Sequence, residues 1–558
     1  MNNIVMGISI GHNRGAAITI NGDLKVAISN ERVTRIKTDH SDSLPLESMR
    51  YCLEALNLEY KDIDAFIYNT TADINRAPEE FEIETGMSRD RLNFVPHHLA
   101  HAYSTFCASD FDEAAVVVAD AMGSVYNDET PIKDWFKVDE SGLNPGEHLA
   151  EGYSIYHFSR KDQTINQSYC KWVVYPFREG DPEAETSIGH KYGMGSKQLV
   201  YNPVHNTWQA GKLMGLASYA NKEWVDSHPI QTRFEDEDMY VMVQTFYPEV
   251  TWQSNFQQKA NVAGLYQREQ ELSSLHLAKM AKKITNSNNI CVAGGSFLNC
   301  NTNELIIREG IYDNAYFMPP ADDSGIPIGC AYYGSHVLMG KIPTSEGWMT
   351  AYLGKTYTEQ EINDAIDLYS SSINVIKLEE DEMVDTVANL LNENRVIGWF
   401  QKGSEMGPRA LGCRSILASP KQAWMPQYIN SEIKLREWYR PFAPSVLYEK
   451  QAEIFELDTY SPYMLVTTEV KPEWRSKIPA VTHIDGTARY QSVTPDNNPK
   501  YHKLISKFNE VSGVPVVLNT SFNGPEEPIV ETPTNAINTF LKRNLYALVL
   551  NNYLITRK

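Results

Sequence analysis

Much that would place this chain quickly is missing from it. Its 7 cysteines, at 52, 107, 170, 291, 300, 330 and 413, are odd in number and scattered, without the paired spacing of a zinc ribbon or a disulfide framework. That usage fits a reducing compartment, so a cytoplasmic localisation is expected. No apolar run approaches the about 18 residues of a membrane span, and no membrane partner is expected. The start, Met-Asn-Asn-Ile-Val-Met-Gly-Ile-Ser-Ile, has no basic leader and no small-residue cleavage site, and reads as a first strand. Positive charge is scarce: 50 Lys and Arg against 71 Asp and Glu leave a net charge of −21, which argues against a broad nucleic-acid surface. Internal repeats and low-complexity tracts are absent as well. What is present is a globular composition, 42% hydrophobic and 11% aromatic, in 558 residues, too long for one core, so that about two to four domains are expected.

Against that acidic balance, cations gather in one place. The stretch Gln401 to Ser415 reads Gln-Lys-Gly-Ser-Glu-Met-Gly-Pro-Arg-Ala-Leu-Gly-Cys-Arg-Ser, and Ile433 to Ser445 reads Ile-Lys-Leu-Arg-Glu-Trp-Tyr-Arg-Pro-Phe-Ala-Pro-Ser. Together they hold Lys402, Arg409, Arg414, Lys434, Arg436 and Arg440. A solvated basic face would be richer in lysine and poorer in glycine, proline and aromatics. Arginines in Gly-Pro-Arg and Tyr-Arg-Pro contexts instead suggest fixed forks for phosphate or carboxylate, with glycines admitting backbone amides to the ligand. Farther on, Arg489 in Thr-Ala-Arg-Tyr-Gln-Ser-Val and Ser521 in Val-Val-Leu-Asn-Thr-Ser-Phe-Asn add polar residues at strand ends.

A second kind of chemistry lies earlier. Ile4–Ile10, Ala16–Ile20 and Leu24–Ser29 read as three strands joined by tight turns, as the actin, Hsp70 and sugar-kinase superfamily begins. His12, in the first loop, is either a turn residue or a general base at a strand end. In Phe94-Val-Pro-His-His-Leu-Ala-His-Ala-Tyr103, a helix opened by Pro96 sets His97 and His101 at i and i+4 on one face, with His98 pointing elsewhere. Such a pair is often incidental. Its company is Asp120, at the end of the buried-type strand Ala114–Asp120, and Asp322 and Asp323 in a Gly-Pro loop within Met318–Gly329. Two imidazoles with two carboxylates suit iron, manganese or zinc.

Other stretches organise the chain. Residues 125–205, with an acidic loop at Glu179–Glu185, read as an insertion or lid. Ala210–Ser218 reads as a glycine-lysine turn entering a helix, where Lys212 either meets phosphate or faces solvent. A helical pattern covers Leu272–Ile284. Ile290–Asn301 reads as strand, Gly294-Gly295 turn and helix start, a nucleotide cradle with Asn299 at its rim or else a close strand–helix crossing; it is no Walker loop. Gly340–Trp348 is the best linker, placing domains at 1–345 and 350–558. Beyond it come a helical pattern at Thr358–Tyr369 and a strand at Val396–Phe400.

The combination Gly-His-Asn-Arg-Gly-Ala-Ala, Asn-Glu-Arg-Val-Thr-Arg-Ile-Lys, His-His-Leu-Ala-His-Ala, Gly-Lys-Leu-Met-Gly-Leu-Ala, Gly-Pro-Arg-Ala-Leu-Gly-Cys-Arg-Ser, Lys-Leu-Arg-Glu-Trp-Tyr-Arg-Pro-Phe-Ala-Pro-Ser and Leu-Asn-Thr-Ser-Phe-Asn resembles the O-carbamoyltransferases of the NodU/CmcH/TobZ type, in the same order from first strand to last. Only the segment around 125–205 lies outside the resemblance. It implies an α/β protein: an N-terminal actin/Hsp70-like, TsaD-like domain for metal binding and carbamoyl transfer, and a C-terminal YrdC-like domain making carbamoyladenylate from carbamoyl phosphate and ATP. It implies His97, His101, Asp120 and Asp323 as ligands of Fe2+ or another divalent metal, and admits Mg2+ beside ATP. Lys434, Arg440, Arg489 and Ser521 would hold carbamoyl phosphate; Lys37, Arg409 and Arg414 would handle the nucleotide phosphates, to which the local motifs add Lys212, Gly294, Gly295 and Asn299 as nucleotide-site candidates; His12 would deprotonate the acceptor. The expected partner is a small-molecule hydroxyl acceptor, a secondary metabolite or modified sugar, with the chain a monomer or homodimer. Three positions depart from the pattern: Trp208-Gln209-Ala210 stands where an acidic residue often precedes Gly-Lys, Ala-Met-Gly-Ser follows Asp120 in place of Gly-x-Gly-Glu, and Thr38 replaces a histidine after Lys37.

Two rival readings use the same residues differently. A sugar or acyl kinase shares the first hairpins but leaves the 401–445 cluster without a task, and would release ADP. A component of a tRNA-modification complex would need an RNA-binding face and salt-sensitive RNA retention.

Overall fold

The computed structural model describes residues 2–70, 76–126, 131–178, 181, 184–201, 208–345 and 347–558. The fold is mixed α/β, and the chain divides into two compact units. One is Met1–Asn30 with Asp39–Met349, the other Glu31–Thr38 with Thr350–Lys558. The short excursion 31–38, which carries Lys37, therefore counts with the second unit.

In the first unit, β1 (Ile4–Ile10), β2 (Gly15–Ile20), β3 (Asp23–Ser29), β4 (Ala65–Thr70) and β5 (Leu92–Phe94) form a sheet of order β3-β2-β1-β4-β5. The first three strands pair antiparallel through the expected turns, and β4 joins β1 in parallel with Val5 opposite Ala65. β1 is buried along nearly its whole length because the helix Ile326–Met339 covers it, so it reads as a continuous apolar run. Pro327 sits in the first turn of that helix, where its missing N–H costs nothing, so the expected Gly-Pro loop is shorter and Asp323 opens a 3-10 turn leading into the helix.

A second sheet in this unit is centred on β6 (Glu113–Ala119), parallel to Asn289–Ala293 with Val117 opposite Val292. On its other side β6 pairs antiparallel with His148–Ser159, which pairs in turn with Thr164–Tyr175. This corrects the lid reading of 125–205: its long hairpin completes the sheet, because His148–Ser159 pairs along the whole of β6 and is itself buried over nearly its full length. Val116, Val117 and Val118 are at most 1% exposed, each worth about 1.5–3 kcal/mol on burial. Of the acidic loop at Glu179–Glu185, residues 179, 180, 182 and 183 lie outside the described residues. The helical pattern at Leu272–Ile284 is the second half of a helix, Phe256–Thr285, begun by the Asn255 side chain accepting from the Gln258 N–H.

The second unit is built on a nine-stranded mixed sheet. At its centre Ile397–Phe400, Arg414–Ala418, Val516–Ser521, Ala443–Leu447 and Thr487–Val493 lie side by side. The helix Glu359–Leu368 begins as the capping box at Thr358 and Glu361 dictates. The 31–38 excursion is fastened by guanidinium groups: Arg32 donates to the carbonyls of Glu405 (3.3 Å) and Gly407 (2.9 Å), and Arg35 to those of Pro528 and Ile529 (both 2.7 Å).

Candidate functional site

In the first unit the helix His97–Ala108 starts directly after Pro96, and the i, i+4 spacing brings the His97 and His101 rings edge to face at 4.8 Å. Both imidazoles are buried. Their Nε2 atoms face Asp120, at the end of β6, and Asp323, at the head of the 3-10 turn. His97 lies 3.4 Å from each carboxylate; His101 lies 3.2 Å from Asp120 and 3.5 Å from Asp323. One donor atom from each of the four falls within 4.8 Å of the others. The set fits a divalent ion of borderline hardness. In addition, the Nδ1–H of His97 donates to the side-chain carbonyl of Asn69 at 2.8 Å, which orients the ring and leaves Nε2 as the atom that faces the carboxylates. Asn69, at the end of β4, has no local sequence signal; only the fold brings it under His97.

The electrostatics agree. Burial alone would lower the pKa of His97, but Asp323 and Asp120 push it up to about 10, while the imidazoles hold Asp323 well below the usual carboxylate range. Such opposed pulls mark a place where positive charge belongs. His12 Nδ1 is 3.8 Å from Asp323, and its side chain is 55% exposed. There too burial lowers the pKa but Asp323 outweighs it, raising His12 to about 8. Asp322 is not part of the cluster; it accepts from the Ser324 N–H and from Asn13. His98 points elsewhere as expected, with Nδ1 2.8 Å from the Ser154 hydroxyl.

Beside this cluster runs the glycine turn. Gly294 has φ +96°, and a Cβ there would meet the Ala119 carbonyl at 2.2 Å, so only glycine lets the turn close over the end of β6. The Gly295 N–H then donates to Asp120 at 3.3 Å. Asn299 caps the helix Cys300–Arg308 and is tied to Gln267 by two hydrogen bonds of 2.9 and 3.0 Å. Lys212 does not lie in a turn, as the Gly-Lys pair suggests, but within the helix Ala210–Ala217, because Gly211 continues the helix that Gln209 starts.

In the second unit Lys434 ends a π-helical turn, Ile429–Lys434, and Leu435 follows at φ 44°, a left-handed conformation rare outside glycine and frequent at functional sites. The buried Lys434 ammonium donates to the Ser521 hydroxyl (3.1 Å) and to the Asn523 side-chain carbonyl (2.6 Å). Burial, then Arg436, Lys37 and Arg440, lower its pKa well below the ordinary lysine value. Arg436 and Arg440 are lowered in turn by burial and by Arg489. The structure thus gathers Lys37, Lys434, Arg440, Arg489 and Ser521, and adds Arg436, read in the sequence only as a member of the basic cluster, and Asn523, to which sequence reasoning gave no role. Lys37 reaches the Glu527 carbonyl at 3.3 Å. Such a gathering of mutually repelling cations is the arrangement that a multiply charged anion would relieve.

Arg409 and Arg414 part company. Arg409 is half-buried in the loop between Met406 and Cys413. Arg414 is fully buried, lies 3.5 Å over the Phe400 ring, and donates to the carbonyls of Gln401, Lys402, Cys413 and Glu531. The structure speaks against the expectation that Arg414 handles a nucleotide: it opens the strand Arg414–Ala418 with its side chain fully buried, and its donors are spent on main-chain carbonyls.

Sequence families agree with this division. The carbamoyltransferase N-terminus model matches residues 76–332 and the carbamoyltransferase C-terminus model residues 388–557. The first match runs through 125–205, so that segment is within the family's pattern and not outside it. Nodulation protein NolNO of Sinorhizobium fredii is 30% identical, over 98% of this chain and 79% of that one. Nodulation protein U of Rhizobium tropici is 34% identical over 44% of this chain and 40% of that one. The uncharacterized protein sll1178 of Synechocystis is 28% identical over 99% and 96%. The chain belongs to the carbamoyltransferase family, as an enzyme of the NodU type. Among solved structures, full-length HypF in its phosphate- and nucleotide-bound form overlaps with a TM-score of 0.36 at 12% identity, covering 62% of this chain and 56% of that one, too partial an overlap to carry a conclusion. No helix among the described residues is long and apolar enough to cross a membrane.

Proposed function

We propose that the protein is an ATP-dependent O-carbamoyltransferase in which the second unit makes carbamoyladenylate and the first transfers its carbamoyl group to a hydroxyl of a small molecule. The observation that carries this reading is that the chain holds two chemically different sites, a nest of cations around Lys434 and a His/Asp cluster around Asp120, where a single-step transfer needs one. The order β3-β2-β1-β4-β5 supports an actin/Hsp70-like first unit, and the cation cluster around Lys434 supports a YrdC-like role for the second.

The carbonyl of carbamate is a poor electrophile, since nitrogen and oxyanion both feed it. Carbamoyl phosphate would first give carbamate and phosphate by hydrolysis. The carbamate oxygen then attacks the α-phosphorus of ATP, pyrophosphate leaves, and a mixed anhydride with AMP results. Lys434, Arg440, Arg489 and Ser521 hold the first anion, and Lys37 and Arg409 the second, as donors already in place when charge shifts. In the first unit His97, His101, Asp120 and Asp323 hold a divalent metal, with Fe2+ the leading candidate. When bound, the ion supplies Lewis-acid charge toward the phosphate of the leaving AMP. Gly294 and Gly295 form the turn that closes beside Asp120, and Asn299 caps the helix that follows, so the three shape the wall of the site where the nucleotide would lie. His12 takes the proton of the acceptor hydroxyl as its oxygen attacks the carbamoyl carbon and AMP departs.

Incubation of candidate alcohols with ATP, carbamoyl phosphate and Fe2+, followed by mass spectrometry and nucleotide analysis, tests the proposal. A carbamoylated alcohol with AMP and pyrophosphate is expected. ADP as the nucleotide product would replace the reading by a kinase.

A further inference from the structure

Glu151, in the strand His148–Ser159, is 0% exposed and has no part in the chemistry described above. Its Oε2 accepts hydrogen bonds from the backbone N–H groups of Ser124 (3.0 Å) and His98 (3.4 Å). Its main chain holds the same loop, with Gly123 N–H donating to its carbonyl at 2.8 Å and its own N–H donating to the Ser124 carbonyl at 3.2 Å. The Ser124 hydroxyl in turn accepts the His97 N–H at 2.9 Å. His97 and His98 are the first two residues of their helix, and N–H groups there have no partner inside the helix. Glu151 therefore satisfies one of them directly and the other through Ser124.

The contact is close. A Cβ on Gly123 would lie 2.7 Å from Glu151 Cβ and 2.8 Å from its Oε2. Loop 121–124 runs from Asp120 into this contact, so two of the four donors, Asp120 and His97, are bracketed by it. Glu151 Oε1 is buried without a hydrogen-bond partner.

We propose that Glu151 is a positioning residue of the metal centre: by holding the Ser124 and His98 N–H groups it fixes where the helix His97–Ala108 begins, and hence where His97 and Asp120 aim. The proposal rests on the reading that the His/Asp cluster binds a divalent cation. Full-length, metal-free protein titrated with Co2+ and followed by visible absorption tests it without any carbamoyl substrate. Glu151→Ala is expected to weaken Co2+ binding by about 10–100-fold with an altered spectrum, and Glu151→Gln, which keeps an oxygen for both N–H groups, to restore affinity to within about threefold of the native protein. Ser124→Ala removes the acceptor of the His97 N–H without touching a charge, and is expected to shift affinity in the same direction should Glu151→Ala fail to fold. Native affinity and spectrum in Ser124→Ala and in folded Glu151→Ala overturn the positioning role while leaving the metal centre intact. Absence of a saturable Co2+ site in the native protein overturns the metal reading itself.

Discussion

Replacing Glu405 by leucine should loosen the loop that carries Arg409. The Glu405 carboxylate is 1% exposed, and its Oε1 accepts from the N–H groups of Leu411 (2.7 Å), Cys413 (2.7 Å) and Arg414 (3.1 Å). Leucine leaves these donors buried without an acceptor, at about 1–3 kcal/mol each, so a loss of at least about 3 kcal/mol is expected. Glutamine keeps one oxygen in the same place and gives up only the charge assistance, a loss of about 1–2 kcal/mol. Buried Trp399 donates its indole N–H to the Gly412 carbonyl at 3.0 Å and so reports on this loop; its share of the signal from the 10 tryptophans is isolated by comparing guanidinium unfolding with and without Trp399→Phe. Glu405→Gln should also raise the KM for ATP in carbamoyl-phosphate-dependent pyrophosphate release, since Arg409 is carried by the disturbed loop. Unfolding of Glu405→Leu at the native midpoint would refute the reasoning.

Two further outcomes are expected. Burial, with Glu304 nearby, raises half-buried Glu271 from 4.5 to about 7 although Gln267 donates to it at 2.8 Å. Between those values the folded state keeps a proton that the unfolded chain has lost, so stability falls as pH rises, by about 1.4 kcal/mol per unit at most. Glu271→Gln should flatten that slope in denaturation midpoints measured from pH 4.5 to 7; an unchanged slope contradicts it. Arg414→Lys removes a planar fork shared among four carbonyls and should cost about 2–4 kcal/mol of stability. A folded Arg414→Lys protein of native stability but weakened ATP binding would instead return Arg414 to the ligand.

The local pieces of both sites were legible because each rests on a short-range rule. Pro96 starts a helix, i, i+4 spacing aligns His97 with His101, and buried β6 ends in Asp120. The family pattern located Lys434 and Ser521. What could not be read depends on residues far apart in sequence. Asn69 beneath His97, Glu151 beneath Ser124, and Arg32 and Arg35 fastening an N-terminal excursion into the second unit meet their partners only after folding. The hairpin His148–Ser159 with Thr164–Tyr175 escaped for another reason: its second strand is only partly buried, so its apolar alternation is weak, and its place in the sheet comes from pairing with β6. Arg414 shows the converse, where a residue type suited to anions is turned inward at the start of a strand and ties main-chain carbonyls together.

The central claim is that cations around Lys434 activate carbamate on ATP. Its most direct test is pyrophosphate release from ATP by the full-length protein, with and without carbamoyl phosphate, in native, Lys434→Met and Arg440→Met forms. Release that requires carbamoyl phosphate in the native protein and falls by about 100-fold or more in both variants is predicted. Undiminished release in folded variants would contradict the account.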